Sequence, residues 1–135
     1  MVKSDTLFEL LVTTALKSNM LHKHGCVITY RNKIISSGYN FYKITNNIYN
    51  YSNDIYISNL YSIHAEQDAI QKIKNKAILK YCKIFIIRLK NSNEIINNFD
   101  INPLHIEQGI PCHMCNNLIN KYNLKFTPLK SYTII

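Results

Sequence analysis

The sequence predicts an α/β fold, a three-layer α/β/α sandwich whose mixed sheet starts with a β-hairpin and carries helices on both faces. Three observations lead there. Near the N-terminus Leu7, Leu10, Leu11, Thr14 and Ala15 recur at helical spacing. Two β-branched, apolar runs, Cys26-Val27-Ile28-Thr29-Tyr30 and Ile84-Phe85-Ile86-Ile87, have the length of buried strands. Between and after them, segments opening at His64 and at Pro111 return to a helical pattern. Strands interleaved with helices point to a sheet covered by helices.

Each element has its own signal. Residues 5–20 read as an amphipathic helix, with Ser4 and Asp5 available as its cap. Gly25 opens the first strand, Arg31-Asn32-Lys33 makes a polar turn, and Ile34-Ile35-Ser36-Ser37 runs on to Gly38-Tyr39-Asn40. Residues 41–62, rich in Asn and Tyr, have no clean period and read as a long loop. A helix follows from His64 to about Lys76, with Ala65, Ile70 and Ile73 on one side, and then the strand Cys82–Leu89. Residues 91–110 are a second polar excursion. Pro111 to Tyr122 reads as a helix with proline at its start, where the missing N–H costs nothing, and Asn123 is suited to a left-handed stop. Tyr132-Thr133-Ile134-Ile135 reads as a last strand.

With 135 residues, 47% hydrophobic and 18% charged, the chain is expected to be one domain over 1–135. No apolar run reaches the roughly 18 to 20 residues of a membrane span, and Met1-Val2-Lys3-Ser4-Asp5 lacks a signal-peptide layout. With four cysteines and no export signal, metal or free-thiol roles are favoured over disulfides, and a cytoplasmic location is expected. The formal charge of +8 invites a nucleic-acid reading. However, all basic residues but Arg31 and Arg88 are lysine, and the chain is equally crowded with Ile, Asn and Tyr. These residues share A/T-rich codons, so compositional bias accounts for much of the excess.

His64-Ala65-Glu66 and Pro111-Cys112-His113-Met114-Cys115 carry the chemistry. Cysteines at i and i+3 of a helix start point the same way, and with His64 they supply three ligands for one Zn²⁺, leaving a fourth position for water. The helix start is also expected to favour thiolate over thiol. Zinc coordination lowers the pKa of water toward neutrality, to about 7 in the strongest cases. Thiolates donate more charge than imidazoles, so the lowering here should be smaller and a neighbouring carboxylate correspondingly more necessary. Glu66 is that carboxylate and the expected proton shuttle. A structural zinc site would want a fourth protein ligand, for which Cys26, Cys82, His105 and His113 are the spare candidates.

Together these motifs resemble the cytidine and deoxycytidylate deaminase superfamily, whose zinc enzymes share the H-x-E…P-C-x-x-C pattern. The resemblance extends to His24-Gly25-Cys26-Val27-Ile28, Ile34-Ile35-Ser36-Ser37-Gly38-Tyr39-Asn40, Ser62-Ile63-His64-Ala65-Glu66 and Ala69-Ile70, over roughly residues 5–124. It implies the cytidine-deaminase-like sandwich, here with a shortened C-terminus, and a zinc-dependent hydrolytic deamination. It also implies that Asn40 contacts the substrate sugar, that Cys26 lines the base pocket, and that Ala65 and Pro111 contact substrate beside the metal ligands. His64 at the ligand position sides with the deoxycytidylate and polynucleotide branches, since free-cytidine enzymes typically place cysteine there. Ile110 before Pro111 and the short stretch after Cys115, interrupted by Pro128, lower a tRNA-adenosine reading. Asn116 departs from the small residue that commonly follows the second cysteine.

The expected substrate is therefore a cytosine mononucleotide, with no membrane partner and, by the resemblance, a homo-oligomer. Two other readings are open at this point. An RNA or DNA editor would use the charge and the tyrosines at 42, 49, 51, 56 and 61. A non-catalytic deaminase-like subunit would have no need of Glu66.

Overall fold

The structure, a computed structural model, describes residues 4–44, 60–89 and 106–129. Helix α1 (Ser4–Ala15) is followed by strands β1 (Lys23–Tyr30), β2 (Lys33–Tyr39), β3 (Phe41–Ile44) and β4 (Leu60–Ile63). Helix α2 (Ala65–Gln71), a 3-10 helix (Lys76–Tyr81) and strand β5 (Cys82–Leu89) come next. Strand β6 (Ile106–Gln108), helix α3 (His113–Lys121) and strand β7 (Lys125–Phe126) complete the described elements. Among these residues no helix is long and apolar enough to cross a membrane.

The main sheet has five strands in the order β2-β1-β5-β6, with β7 also on β5. All pairings are antiparallel except β5·β7, which makes the sheet mixed, as expected. The hairpin forms because Arg31 and Asn32 both take positive φ (50° and 63°), the two-residue turn whose twist matches that of the flanking strands. It is tighter than the sequence suggests, since Lys33 already pairs with Tyr30.

Alternation along β1 and β5 separates two cores, because successive side chains point to opposite faces. Val27, Ile87 and Leu89 pack with Leu7, Leu11 and Ala15 of α1. Cys26, Ile28, Ile84 and Ile86 face the other way, onto Ala65, Ala69 and Ile70 of α2 and Ile119 of α3. Both central strands thus lie between helical layers, which is why their sequences are nearly continuous apolar runs.

Several boundaries differ from the sequence expectation. α1 stops at Ala15 rather than near residue 20. α2 ends at Gln71, and Lys76–Tyr81 forms a separate 3-10 helix whose start is fixed by the Asn75 side chain accepting from Ala77 N–H. The segment expected to be a loop over 41–62 contains the antiparallel ribbon β3·β4. α3 begins at His113 with Cys112 as its N-cap, so Pro111 precedes the cap instead of opening the helix. Asn123 does stop α3 with φ 55°, and Leu124 N–H reaches back to the Ile119 carbonyl while both side chains sit in the core. The N-cap side chains expected at residues 4 and 5 and the strand expected at 132–135 lie outside the described residues.

Candidate active site

The two sequence motifs meet at helix starts. His64 is the N-cap of α2, immediately after β4, and its backbone N–H donates to Gln67 Oε1 at 3.4 Å. Cys112 is the N-cap of α3, and Cys115 N–H points at its Sγ, 3.5 Å away. This capping turns both sulfurs toward the same point. Nδ1 of His64 lies 3.4 Å from Cys112 Sγ and 3.4 Å from Cys115 Sγ, and the three ligand atoms are all within 4.8 Å of one another.

That triangle fits zinc. Tetrahedral bonds of about 2.05 Å to nitrogen and 2.3 Å to sulfur place the nitrogen about 3.6 Å from each sulfur. The observed separations are within a few tenths of an ångström of that, and an imidazole with two thiols is a donor set that zinc prefers. Of the spare ligands, Cys26 and Cys82 are buried elsewhere in the core, and the Cys82 thiol donates to the Ile78 carbonyl at 3.3 Å. His113 is not part of the cluster, and His105 lies outside the described residues. Among the described residues three ligands converge, which leaves room for the fourth position that hydrolytic chemistry needs.

Glu66 stands next to this cluster and is only 5% exposed. Burial pushes its carboxyl above the usual carboxylate range, while its backbone hydrogen bond, the charge of His64 and a hydrogen bond with the Cys115 thiol pull the other way. Cys115, 1% exposed, has its thiol pushed well up by burial, then by the Glu66 charge and by Cys112. At Cys115 the direction is opposite to the one the helix start favours. Desolvation and a neighbouring carboxylate outweigh the helix end there, so a metal ion must displace the proton.

A cleft of about 440 Å³ opens beside the cluster. His64, Ala65, Glu66, Cys112 and Asn40 all line it, as do His22, His24, Tyr42, Ser62 and Ile110. The volume is in the range of sites for small organic ligands. Pro111 is half-buried and is not among the lining residues. Cys26 is fully buried below the cleft, in the core against α2, with Glu66 near enough to raise its thiol pKa further after desolvation. Asn40 is 6% exposed, and its amide is tied to the preceding segment: Oδ1 accepts from His24 N–H at 2.8 Å and Nδ2 donates to the His22 carbonyl at 2.6 Å. His22 and His24 were not singled out from the sequence as site residues. The available signal was the alternation His22-x-His24 just before Gly25, which puts two imidazoles on one side of a strand end.

The family model of the cytidine and deoxycytidylate deaminase zinc-binding region matches residues 1–129.

The chain belongs to this family.

The family is one of zinc-dependent deaminases, and the His64, Cys112 and Cys115 cluster is a metal site of the kind it requires. The chain is similar in fold to a dCMP deaminase from the cyanophage S-TIM5, whose crystal structure was solved in apo form. The TM-score is 0.52 at 16% sequence identity, over 93% of this chain and 82% of that one. No curated protein matches the sequence.

Proposed function

We propose that this deaminase-family chain acts on a cytosine mononucleotide, releasing ammonia to give the uracil form. The observation carrying this reading is the convergence of His64 Nδ1 with the Cys112 and Cys115 sulfurs at a cleft that also admits Glu66. When bound by these three residues, zinc supplies a Lewis acid that acidifies water for attack on the carbon bearing the exocyclic amine. The neutral imidazole and two thiolates balance the ion's charge.

Glu66 has the remaining work. Its carboxylate accepts a proton from the attacking water and delivers it to the ring nitrogen beside the reacting carbon. It then takes the remaining proton from the new hydroxyl on the tetrahedral carbon and passes it to the amine, so that the carbonyl forms as the C–N bond breaks and ammonia leaves. Burial raises the pKa of this carboxyl, so it takes up a proton more readily than an exposed carboxylate would. Ala65 lines the cleft next to His64, and in this reading its backbone groups contact the base, whereas Pro111 precedes Cys112 outside the lining and takes no contact with the base. Asn40, on the cleft wall, is assigned to the sugar, with the free lone pair of Oδ1 as the contact. Cys26 supports Glu66 from below and does not touch substrate. Residues 1–135 act as one domain, in a cytoplasmic homo-oligomer.

Incubation of the zinc-loaded protein with cytosine, adenine and guanine nucleosides and mononucleotides, followed by ammonia measurement, tests the reading. Release from a cytosine mononucleotide that is lost in Glu66→Ala supports it. Silence on every monomer overturns it.

A further inference from the structure

The end of the sheet remote from the cleft carries most of the net charge of the chain. β1 runs from His24, which lines the cleft, to Tyr30, roughly 20 Å further along the strand. There the register gathers three segments. Tyr30 pairs with Lys33 on one side and with Cys82, the residue after the 3-10 helix, on the other. Lys83 pairs in turn with Lys125 of β7, which the chain reaches from α3 through the stop at Asn123. The hairpin turn, the 3-10 helix with its entry into β5, and the end of α3 with β7 therefore lie side by side, over residues 30–33, 76–83 and 121–126.

The first of these segments contributes Arg31 and Lys33, the second Lys76, Lys80 and Lys83, the third Lys121 and Lys125. None contains Asp or Glu. That is seven of the 16 basic residues, and the nine others are set against eight acidic ones, so nearly all of the +8 net charge sits here. A/T-rich codons explain how many lysines the chain has. They do not explain why acidic residues are kept out of one end of the fold. All seven but Lys76 are exposed, and among the described residues none is paired with a carboxylate. The Lys72–Asp68 ion pair lies on α2, outside these segments. Like charges gathered without partners repel one another in the folded state, and a polyanion relieves that repulsion.

Aromatic rings are interleaved with the charge. Arg31 lies 5.0 Å from the ring centre of Tyr30, Lys80 5.1 Å from that of Tyr81, and Lys121 5.3 Å from that of Tyr122. Tyr30 and Tyr122 pack onto the core beneath, whereas Tyr81 is 63% exposed and Phe126 is exposed beside it on β7. Lysines alone would suit any polyanion. Exposed rings set among them favour unpaired bases, each of which has a π-face to stack.

We infer that this end of the molecule binds single-stranded nucleic acid, at a surface separate from the deaminase cleft. The lysines and Arg31 take the phosphates, and Tyr81 and Phe126 take the bases. The inference rests on the placement of charge and rings, and it holds whichever base the cleft accepts.

Titration of the zinc-loaded protein into a labelled single strand of about 15 nucleotides, followed by fluorescence anisotropy, tests this. Binding is expected at low salt, with log K falling against log salt by about 0.7 for each phosphate contacted. Lys80→Glu/Lys125→Glu is expected to weaken it by at least about 10-fold. Lys17→Glu/Lys43→Glu, an equal change of net charge at exposed residues elsewhere, is expected to weaken it by less than about threefold. Tyr81→Ala is expected to cost about 5- to 100-fold, the stacking of one base, while binding of a duplex of the same length is unchanged. Saturating cytosine mononucleotide is expected to leave the strand bound. Every substituted side chain is exposed, and melting temperatures check that each variant is folded. The Tyr81→Ala arm does not depend on the folding of the charge variants. Absence of binding at low salt, equal losses in the two double variants, or displacement of the strand by the mononucleotide overturns the surface. So does tighter binding of anionic lipid vesicles than of the strand with no effect of Tyr81→Ala, which would assign this end to a membrane.

Discussion

Gly38 of β2 and Ala65 of α2 meet backbone to backbone. A Cβ on Gly38 would lie 2.5 Å from the Ala65 carbonyl oxygen and 2.6 Å from the Ala69 nitrogen. Ser36 Oγ donates to the Ala69 carbonyl at 2.7 Å and Tyr39 N–H donates to Asp68 Oδ2 at 3.2 Å, so α2 is held on both sides of this contact. The helix that carries His64 at its cap and Glu66 in its first turn is thereby seated on β2.

Gly38→Ala is therefore expected to lower stability by about 1–3 kcal/mol, the usual cost of overpacking, and to displace the site with the helix. Denaturant unfolding and zinc content per chain measure the two effects. A variant of wild-type stability with full zinc would show that α2 can move away without consequence.

Glu66→Gln should keep zinc and the fold while turnover falls by about 10²- to 10⁴-fold, the contribution of a positioned acid–base group. Metal analysis and single-turnover kinetics check it together. Activity within a few-fold of wild type would assign the proton transfers to another group.

Zinc affinity should rise with pH. The Cys115 thiol is pushed up by burial and by Glu66, so uptake by the metal-free protein expels its proton. Each proton released steepens the dependence by about tenfold per pH unit. Competition against a chelator of known affinity, repeated between about pH 6 and 8, gives the slope. A flat profile would contradict the protonated thiol.

His24 sets an acid limit on the metal-free fold. Burial, and then the charge of Arg88, lower its folded pKa, so below its ordinary value of about 6.5 the unfolded chain takes up a proton that the folded chain resists. Its stabilising contribution is present above that value and is lost as the pH falls through the folded pKa. Melting temperature should drop between about pH 7 and 5.5, and the drop should be smaller in His24→Gln. Parallel curves for the two proteins would place the acid sensitivity elsewhere.

The parts of the fold that could be read from sequence are those where one physical pattern dominates. Apart from Lys83 and Arg88, β5 is apolar because both its faces are covered, and its bounds are those expected, Cys82–Leu89. The turn at Arg31 and Asn32 and the stop at Asn123 follow from residues that suit or tolerate positive φ. β3, β6 and β7 were not legible. They are four, three and two residues long, too short for a period to emerge, and are held in place by their partner strands. The metal ligands were readable because their spacing serves one ion. Cys26 was harder, since position on a strand says little about depth. Asn40, His22, His24 and Arg88 acquire their relationship only when β1 lies between β2 and β5.

The ligand geometry also bears on how the chain holds its shape. His64 and Cys112 are 48 residues apart, and an ion shared between them closes the intervening chain into a loop. A permanent cross-link of that span removes chain entropy worth about 4 kcal/mol from the unfolded ensemble. Zinc thus works as a removable clasp between α2 and α3, which share one face of the sheet. Stripping it should loosen α3 before the β2-β1-β5 layer gives way, so that metal loss unfolds the molecule from one side.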